Sequence, residues 1–172
     1  MKQLSLFDNA FKKIEPCEPG KRTYWKLFID GASRNNPGPS GAGLFLLKQD
    51  ASVEQRGFFI GKKTNNQAEY LALTLGIFYL KKHLCKDDLV VIVSDSQLLV
   101  RQIKGEYKVK NPDLKQLHSY AREMLKDITY NIVHVLREEN KEADALANQG
   151  IDKKRKLPSK FLDQLRERNI SI

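Results

Sequence analysis

The chain has 172 residues, of which 41% are hydrophobic and 30% charged, and its formal net charge is +9. This size and composition predict one globular domain with a core and short tails. No apolar stretch is long enough to span a bilayer, and the two isolated cysteines lack the spacing of a zinc site or a disulfide framework. We therefore expect a cytoplasmic protein without a membrane partner. The positive charge favours a polyanionic partner, with nucleic acid as the first candidate, although basic residues also serve solubility.

Three zones of the chain differ in character. Residues 1–22 hold one short apolar cluster and then prolines and a glycine in a polar setting, which predicts a flexible tail and linker. Residues 23–150 alternate apolar runs with turn-forming residues and are predicted to form the domain. Residues 151–172 are predicted to be a basic C-terminal tail with a short amphipathic segment from Phe161 onward.

Within the domain, the hydrophobic periodicity predicts elements in the order βββαβααβα. The predicted strands are 24–29, 44–48, 53–60, 88–94 and 130–136, and the predicted helices are 66–83, 97–104, 112–126 and 140–150. Residues 30–43, which are rich in glycine, proline and asparagine, are predicted to be a turn. The predicted fold class is α/β, with a five-stranded mixed sheet that joins an antiparallel meander to two parallel strands and is flanked by helices.

Four acidic residues stand where predicted strands end or predicted helices begin: Asp30, Glu69, Asp95 and Asp144. A right-handed crossover through the 66–83 helix would lay the following strand parallel to the first, so that all four residues meet at the carboxyl ends of the parallel strands. Clustered carboxylates are costly without a cation, and oxygen ligands are what Mg²⁺ selects. We therefore expect a divalent-metal site that no lysine or arginine neutralises.

Each acid taken alone also has an ordinary explanation. Asp30 could start a glycine-rich turn, Asp95 could begin a helix, and Asp144 could be a solvated helix residue. Glu69 is harder to explain in this way, because apolar residues share its helix face and would bury a carboxylate without a partner. The joint placement of all four in one topology favours the metal site.

Four segments of the chain resemble type 1 ribonuclease H, in the order and with the spacing of that family. They are Phe28-Ile-Asp-Gly-Ala-Ser-Arg-Asn-Asn-Pro-Gly-Pro-Ser-Gly-Ala-Gly43, Thr64-Asn-Asn-Gln-Ala-Glu69, Ser94-Asp-Ser-Gln97 and Arg137-Glu-Glu-Asn-Lys-Glu-Ala-Asp-Ala-Leu-Ala147. The likeness covers residues 24–150. It implies a ribonuclease H-like fold and endonucleolytic hydrolysis of the RNA strand of an RNA·DNA hybrid, giving 5′-phosphate products.

The resemblance also implies roles for the four acids. Two Mg²⁺ ions, which Mn²⁺ can replace, would be bound, with Asp30 bridging both. Glu69 and Asp95 would serve one ion, and Asp144 would serve the ion that holds the attacking water. Such a pair lies about 3.5 to 4 Å apart and stabilises the entering and leaving oxygens of an in-line displacement.

Polar residues beside the acids match family positions that touch the substrate. They are Ser33, Asn36, Asn65 and Gln97. A 2′-hydroxyl both donates and accepts hydrogen bonds, so polar partners there would favour RNA over DNA. Asparagine is also an ordinary turn former and helix cap, so the residue types alone do not decide between substrate contact and structure.

The sequence departs from the family in two places. The loop before the last predicted helix lacks the histidine that many members carry. Glu138 or Glu139 could take part of its role and Arg137 could face a phosphate, or each could be a plain charged loop residue. The long basic protrusion of some members is also missing, because residues 105–110 lead quickly to a proline. Affinity for the hybrid would then depend on Lys108 and neighbouring lysines, and on the basic C-terminal tail, which could equally be a solvated end.

The segment Gln3-Leu-Ser-Leu-Phe7 resembles the short peptide with which bacterial replication and repair proteins bind the sliding clamp. Leu4, Leu6 and Phe7 would enter a hydrophobic pocket while Gln3 fixes the orientation. The tether would raise the effective concentration of the domain near its substrate. The three apolar residues could instead fold back onto the domain.

These observations lead to one expectation and two alternatives. We expect a monomeric, metal-dependent hybrid ribonuclease of bacterial type that removes primers or transcription hybrids. The alternatives are a non-catalytic hybrid-binding adaptor tethered to the clamp, and a DNA nuclease of a related fold. The complete set of four acids argues against the adaptor, and the glycine-rich segment that resembles an RNA contact argues against the DNA nuclease.

Overall fold

The structure, a computed structural model, describes residues 22–172, and its centre is a five-stranded mixed sheet in the order β3-β2-β1-β4-β5. The strands are β1 (Tyr24–Ser33), β2 (Gly38–Lys48), β3 (Ala51–Lys63), β4 (Leu89–Ser94) and β5 (Thr129–His134). β1, β2 and β3 form an antiparallel meander, and β4 and β5 run parallel to β1. The predicted fold class is confirmed, and the carboxyl ends of the three parallel strands meet at one edge of the sheet.

Residues 22–172 contain five α-helices and one 3₁₀ turn at Arg137–Glu139. The helices are α1 (Asn65–Leu80), α2 (Gln97–Ile103), α3 (Pro112–Leu125), α4 (Lys141–Lys153) and α5 (Ser159–Glu167). A Cβ on Gly31 in β1 would meet the backbone of α1, whereas a Cβ on Gly41 or Gly43 in β2 would meet the backbone of α4. Since Gly31 pairs with Ala42 and side chains alternate along a strand, α1 and α4 lie on opposite faces of the sheet.

The prediction of a turn over residues 30–43 is wrong, because most of this segment belongs to β1 and β2. Its glycines permit close packing of helices on the strands. A Cβ on Gly31 would lie 2.2 Å from the backbone carbon of Ala68, and a Cβ on Gly43 would lie 2.2 Å from the carbonyl oxygen of Ala143. Glycine in a strand often marks such an approach, and composition alone does not separate this use from a turn.

Residues 151–172 are not a tail separate from the domain. The predicted boundary at residue 150 falls within α4, which continues to Lys153. The expected amphipathic segment is present as α5, but its apolar face belongs to the core, since Phe161 is 0% exposed and Leu165 is 1% exposed. Full burial of side chains of this size stabilises the fold by about 1.5 to 3 kcal/mol each.

Two further sequence expectations concern the chain ends and the cysteines. The predicted N-terminal tail lies outside the described residues, apart from Arg22. Cys85 takes part in a disulfide, so the expectation of isolated thiols is wrong at this position. Over the described range, the helices are too short or too polar to cross a bilayer.

Candidate active site

Three of the four predicted acids come together at the carboxyl edge of the sheet. Asp30, Glu69 and Asp95 offer carboxylate oxygens that all lie within 4.8 Å of one another. Asp95 follows the end of β4, and Asp30 lies inside β1 rather than at its end. Because β1 and β4 are parallel neighbours, their backbones are about 4.8 Å apart, which brings the two aspartates within reach of a shared ion.

The start of α1 places Glu69 beside the aspartates. The Thr64 side chain accepts a hydrogen bond from the Gln67 backbone N–H at 3.2 Å, and the Gln67 side chain accepts one from the Thr64 backbone N–H at 2.9 Å. This capping box fixes the first turn of the helix. Glu69 lies in the second turn of α1, and the missing side chain of Gly31 allows α1 to approach β1 closely. The backbone N–H of Gly31 donates a hydrogen bond to the Glu69 carboxylate.

The electrostatics of the cluster favour protonation when no cation is present. Burial, followed by the negative charges of Asp95 and Asp144, raises the pKa of Asp30 to about 8. Burial, followed by the charges of Asp30 and Asp95, also raises the pKa of Glu69 well above its usual range. The Glu69 Oε2 atom is buried and has no hydrogen-bond partner among residues 22–172. A buried oxygen in this state is the kind of ligand that a divalent cation would satisfy.

Asp144, the fourth predicted acid, lines the same cleft but lies outside this three-residue group. Arg137 Nη2 donates to Asp144 Oδ1 at 2.8 Å, so the expectation that no arginine pairs with the acids is wrong for this one. The Arg137 side chain is 75% exposed, because it extends from the 3₁₀ turn into solvent. A pair this exposed contributes at most about 1 kcal/mol, so a stronger ligand could displace the guanidinium.

The predicted substrate residues in the β1–β2 turn and at the start of α1 form one hydrogen-bonded set. The Ser33 backbone N–H donates to Asn65 Oδ1 at 3.1 Å, and the Asn65 backbone N–H donates to Asn36 Oδ1 at 3.0 Å. The Ser33 hydroxyl donates to the Lys63 carbonyl at 2.7 Å. Ser33 and Asn65 line the acidic cleft, which has a volume of about 430 Å³. Asn36 does not line the cleft, but its hydrogen bond with Asn65 connects it to the cleft wall.

Four other predicted residues do not line this cleft. Gln97 is the exposed first residue of α2, and Lys108 is exposed in the loop that follows α2. Glu138 is exposed in the 3₁₀ turn, and Glu139 accepts a hydrogen bond from the Leu136 backbone N–H at 3.1 Å. Glu139 thus stabilises its own turn. The proposed clamp-binding residues, at positions 3–7, lie outside the described range.

Asn140 contacts the acidic cluster and was not singled out in the sequence analysis. It is fully buried, and its Nδ2 atom donates to the Ile29 carbonyl at 2.9 Å and to Asp95 Oδ1 at 3.3 Å. It therefore connects the start of α4 to β1 and to one acid of the cluster. An asparagine directly before a helix resembles an ordinary cap, although here its side chain makes no capping hydrogen bond.

Comparisons with known proteins agree with this arrangement. Residues 28–150 match the protein family described as Reverse transcriptase-like. Ribonuclease HI of Halobacterium salinarum is 41% identical over 127 residues, which cover 73% of this chain and 63% of that protein. Ribonuclease H of Pseudomonas putida is 32% identical over 149 residues, which cover 76% of this chain and 95% of that protein. The crystal structure of LC11-RNase H1 in complex with RNA/DNA hybrid is 36% identical, with a TM-score of 0.71, and the match covers 75% of this chain and 97% of that one.

The sheet order and the acidic cleft define an α/β protein of the ribonuclease H-like class. Within that class, the chain belongs to the type 1 ribonuclease H family. It spans 63% of the length of the Halobacterium relative and 34% of the length of similar Mycobacterium tuberculosis proteins.

Proposed function

We propose that this chain is an endonuclease that hydrolyses the RNA strand of RNA·DNA hybrids with the help of divalent metal, leaving 5′-phosphate ends. The observation that carries this proposal is the acidic cluster of Asp30, Glu69 and Asp95, whose oxygens lie within 4.8 Å of one another. A ligand set made only of carboxylate oxygens suits Mg²⁺ or Mn²⁺. The hybrid as substrate is supported by the similar LC11-RNase H1, which was solved in complex with RNA/DNA hybrid.

In this proposal the three clustered carboxylates hold the metal, and Asp144 completes a two-ion site. Bound ions would activate a water molecule and stabilise charge on the phosphate oxygens. Asn140 keeps Asp95 oriented through its Nδ2 hydrogen bond at 3.3 Å, and the Gly31 N–H keeps Glu69 oriented. Because the metal-free cluster retains protons, loading of the site should release them.

Arg137 is an auxiliary residue in this proposal and takes part of the role of the missing loop histidine. Its guanidinium forms an ion pair with the Asp144 carboxylate at 2.8 Å. Its exposed guanidinium can leave Asp144 and donate two parallel hydrogen bonds to a backbone phosphate. Arrival of the substrate would then free the Asp144 carboxylate for its role at the site.

In this proposal, the hydrogen-bonded set of Ser33, Asn36 and Asn65 recognises the RNA strand. Polar groups fixed at the cleft wall can exchange hydrogen bonds with 2′-hydroxyls, which DNA lacks. Gln97 and Lys108, which are exposed around α2, would contact the hybrid outside the cleft. The contribution of Lys108 should be electrostatic and should weaken as salt increases.

One assay separates the candidate functions. The purified protein is incubated with labelled hybrid, duplex RNA and duplex DNA, with Mg²⁺ and with EDTA. We expect cleavage of the RNA strand of the hybrid only, and no cleavage in EDTA. Asp30→Asn should reduce cleavage severely. The control Asp127→Asn, which changes an exposed acid at the opposite edge of the sheet, should leave cleavage unchanged. Hybrid binding without cleavage would indicate the adaptor, and cleavage of duplex DNA would indicate the DNA nuclease.

We further propose that residues 3–7 bind a bacterial sliding clamp and bring the enzyme to RNA primers at replication sites. The support is the sequence Gln3-Leu-Ser-Leu-Phe7. The full chain should bind purified clamp in calorimetry, and Leu6→Ala with Phe7→Ala should weaken that binding. Lys12→Ala with Lys13→Ala, in the same segment, serves as the control. Equal affinity of the apolar double variant and the parent would reject clamp binding by these residues.

A further inference from the structure

Four consecutive cations, Lys153-Lys-Arg-Lys156, connect α4 to α5 and are here called the basic loop. All four are exposed. None of them has an ion-pair partner among residues 22–172, whereas Arg34, Arg137 and Arg168 each pair with a carboxylate. The basic loop therefore concentrates positive charge that the described part of the protein does not neutralise.

The backbone of the basic loop is held in place on both sides. Lys154 ends α4 in the left-handed conformation with φ 45°. The Phe59 backbone N–H in β3 donates to the Arg155 carbonyl at 2.8 Å, and Leu157 is buried at 8% exposure. A charged segment with a fixed backbone loses less conformational entropy on binding than a free tail does.

The basic loop lies on the same side of the molecule as the substrate turn. Asp152, the residue before it, forms an ion pair at 2.8 Å with Arg34 in the β1–β2 turn. Across the sheet, Ala32 pairs with Gly41 and Gly41 pairs with Phe59. The Arg155 carbonyl lies one further hydrogen bond beyond Phe59, on the outer side of β3. It is therefore about three strand spacings, or about 14 Å, from Ala32 in β1. For a hybrid that crosses the sheet in this direction, that distance corresponds to roughly four nucleotides along one strand, at about 3.4 Å each.

We propose that the basic loop binds the phosphate backbone of the RNA·DNA hybrid about four nucleotides from the scissile phosphate and so extends the substrate footprint beyond the acidic cleft. This inference rests on the proposed hybrid substrate. Cation contacts to phosphates release counterions and give affinity without regard to base sequence. The loop thus supplies electrostatic affinity to a chain whose α2–α3 connection is too short for a long basic protrusion.

The test compares two triple variants in the Asp30→Asn background. Lys153→Gln, Arg155→Gln and Lys156→Gln remove three of the four charges of the basic loop and leave Lys154 with its left-handed backbone unchanged. The matched control carries Lys81→Gln, Lys86→Gln and Lys126→Gln, which remove the same charge from exposed residues at the opposite edge of the sheet. Binding of a hybrid of about 18 base pairs is measured by fluorescence anisotropy over a range of salt concentrations, and its footprint by hydroxyl-radical cleavage.

Each lost phosphate contact should lower the slope of log K against log salt by about 0.9 and weaken binding about 5-fold at 0.15 M salt. The loop variant should also lose protection of about four nucleotides on one side of the footprint, and the control should keep both affinity and footprint. Unchanged binding by the loop variant, or an equal loss in the control, would overturn the role of the loop and leave the proposed function standing. Failure of the Asp30→Asn parent to bind hybrid would instead count against the proposed function. Thermal unfolding should match in all three proteins, because the substituted side chains are exposed.

Discussion

In the absence of metal, the acidic cluster should make the protein less stable as pH rises, and Asp30→Asn should remove much of this dependence. Asp30 is 4% exposed, and its pKa is raised to about 8 by burial and then by the charges of Asp95 and Asp144. An aspartate in the unfolded chain has a pKa of about 3.9. Between these two values the folded protein keeps a proton that the unfolded chain has released, so stability falls as pH rises from about 4 to about 8. At about 1.4 kcal/mol for each pH unit, the parent should lose about 4 kcal/mol more than the variant between pH 5 and pH 8.

The assay is urea unfolding at several pH values in EDTA, followed by the fluorescence of Trp25. This is the single tryptophan of the chain, and it is 2% exposed and donates a hydrogen bond to Asp88 at 2.9 Å. Mg²⁺ at 100 times its dissociation constant should restore about 2.7 kcal/mol to the parent at pH 8. Asp127→Asn, at an exposed position, should follow the parent at every pH. Parallel curves for the parent and Asp30→Asn would refute the argument that burial and like charge dominate this cluster.

Three further substitutions test separate parts of the account. Phe161→Ala should lower the free energy of unfolding by about 3 to 5 kcal/mol in urea titrations, whereas a tail residue would have no effect. Gly31→Ala should lower the free energy of unfolding by about 1 to 3 kcal/mol in the same titrations and weaken Mg²⁺ binding, because the added Cβ would push α1 away from β1. Full retention of Mg²⁺ affinity would argue against the role of close packing. Arg137→Gln should change stability by less than about 1 kcal/mol but lower kcat/KM for hybrid cleavage roughly 10- to 100-fold, and unchanged kinetics would exclude the auxiliary role.

The parts of the site that the sequence could predict are those set by local periodicity and chain direction. Asp95 follows a short buried strand that runs parallel to β1, which brings it beside Asp30. Glu69 lies early in the long apolar helix that follows the meander, which brings it to the same edge. The position of Asp30 inside β1 was not predictable in this way. Its glycine neighbours suggest a turn by composition, and their role in helix packing becomes visible only when α1 and α4 are in place.

Other features depend on tertiary contacts that have no local signal. The Arg137–Asp144 ion pair requires the 3₁₀ turn and α4 to present two side chains to each other. The apolar residues of α5, Phe161, Leu162 and Leu165, are spaced three and four apart, which predicts an amphipathic helix. Nothing in that spacing shows that the core has room for Phe161. The preceding run of cations was compatible with a solvated tail as much as with a hybrid contact. Its fixed backbone emerged only from the hydrogen bond to β3.

Metal binding without substrate tests most directly whether the carboxylates of Asp30, Glu69 and Asp95 form a cation site. Calorimetric titration of Mn²⁺ at pH 7 in two buffers of different ionisation enthalpy would give both affinity and proton release. We expect the parent and Asp127→Asn to bind with release of protons, and Asp30→Asn and Glu69→Gln to bind much more weakly. Equal binding by all four proteins, or none by the parent, would contradict the account.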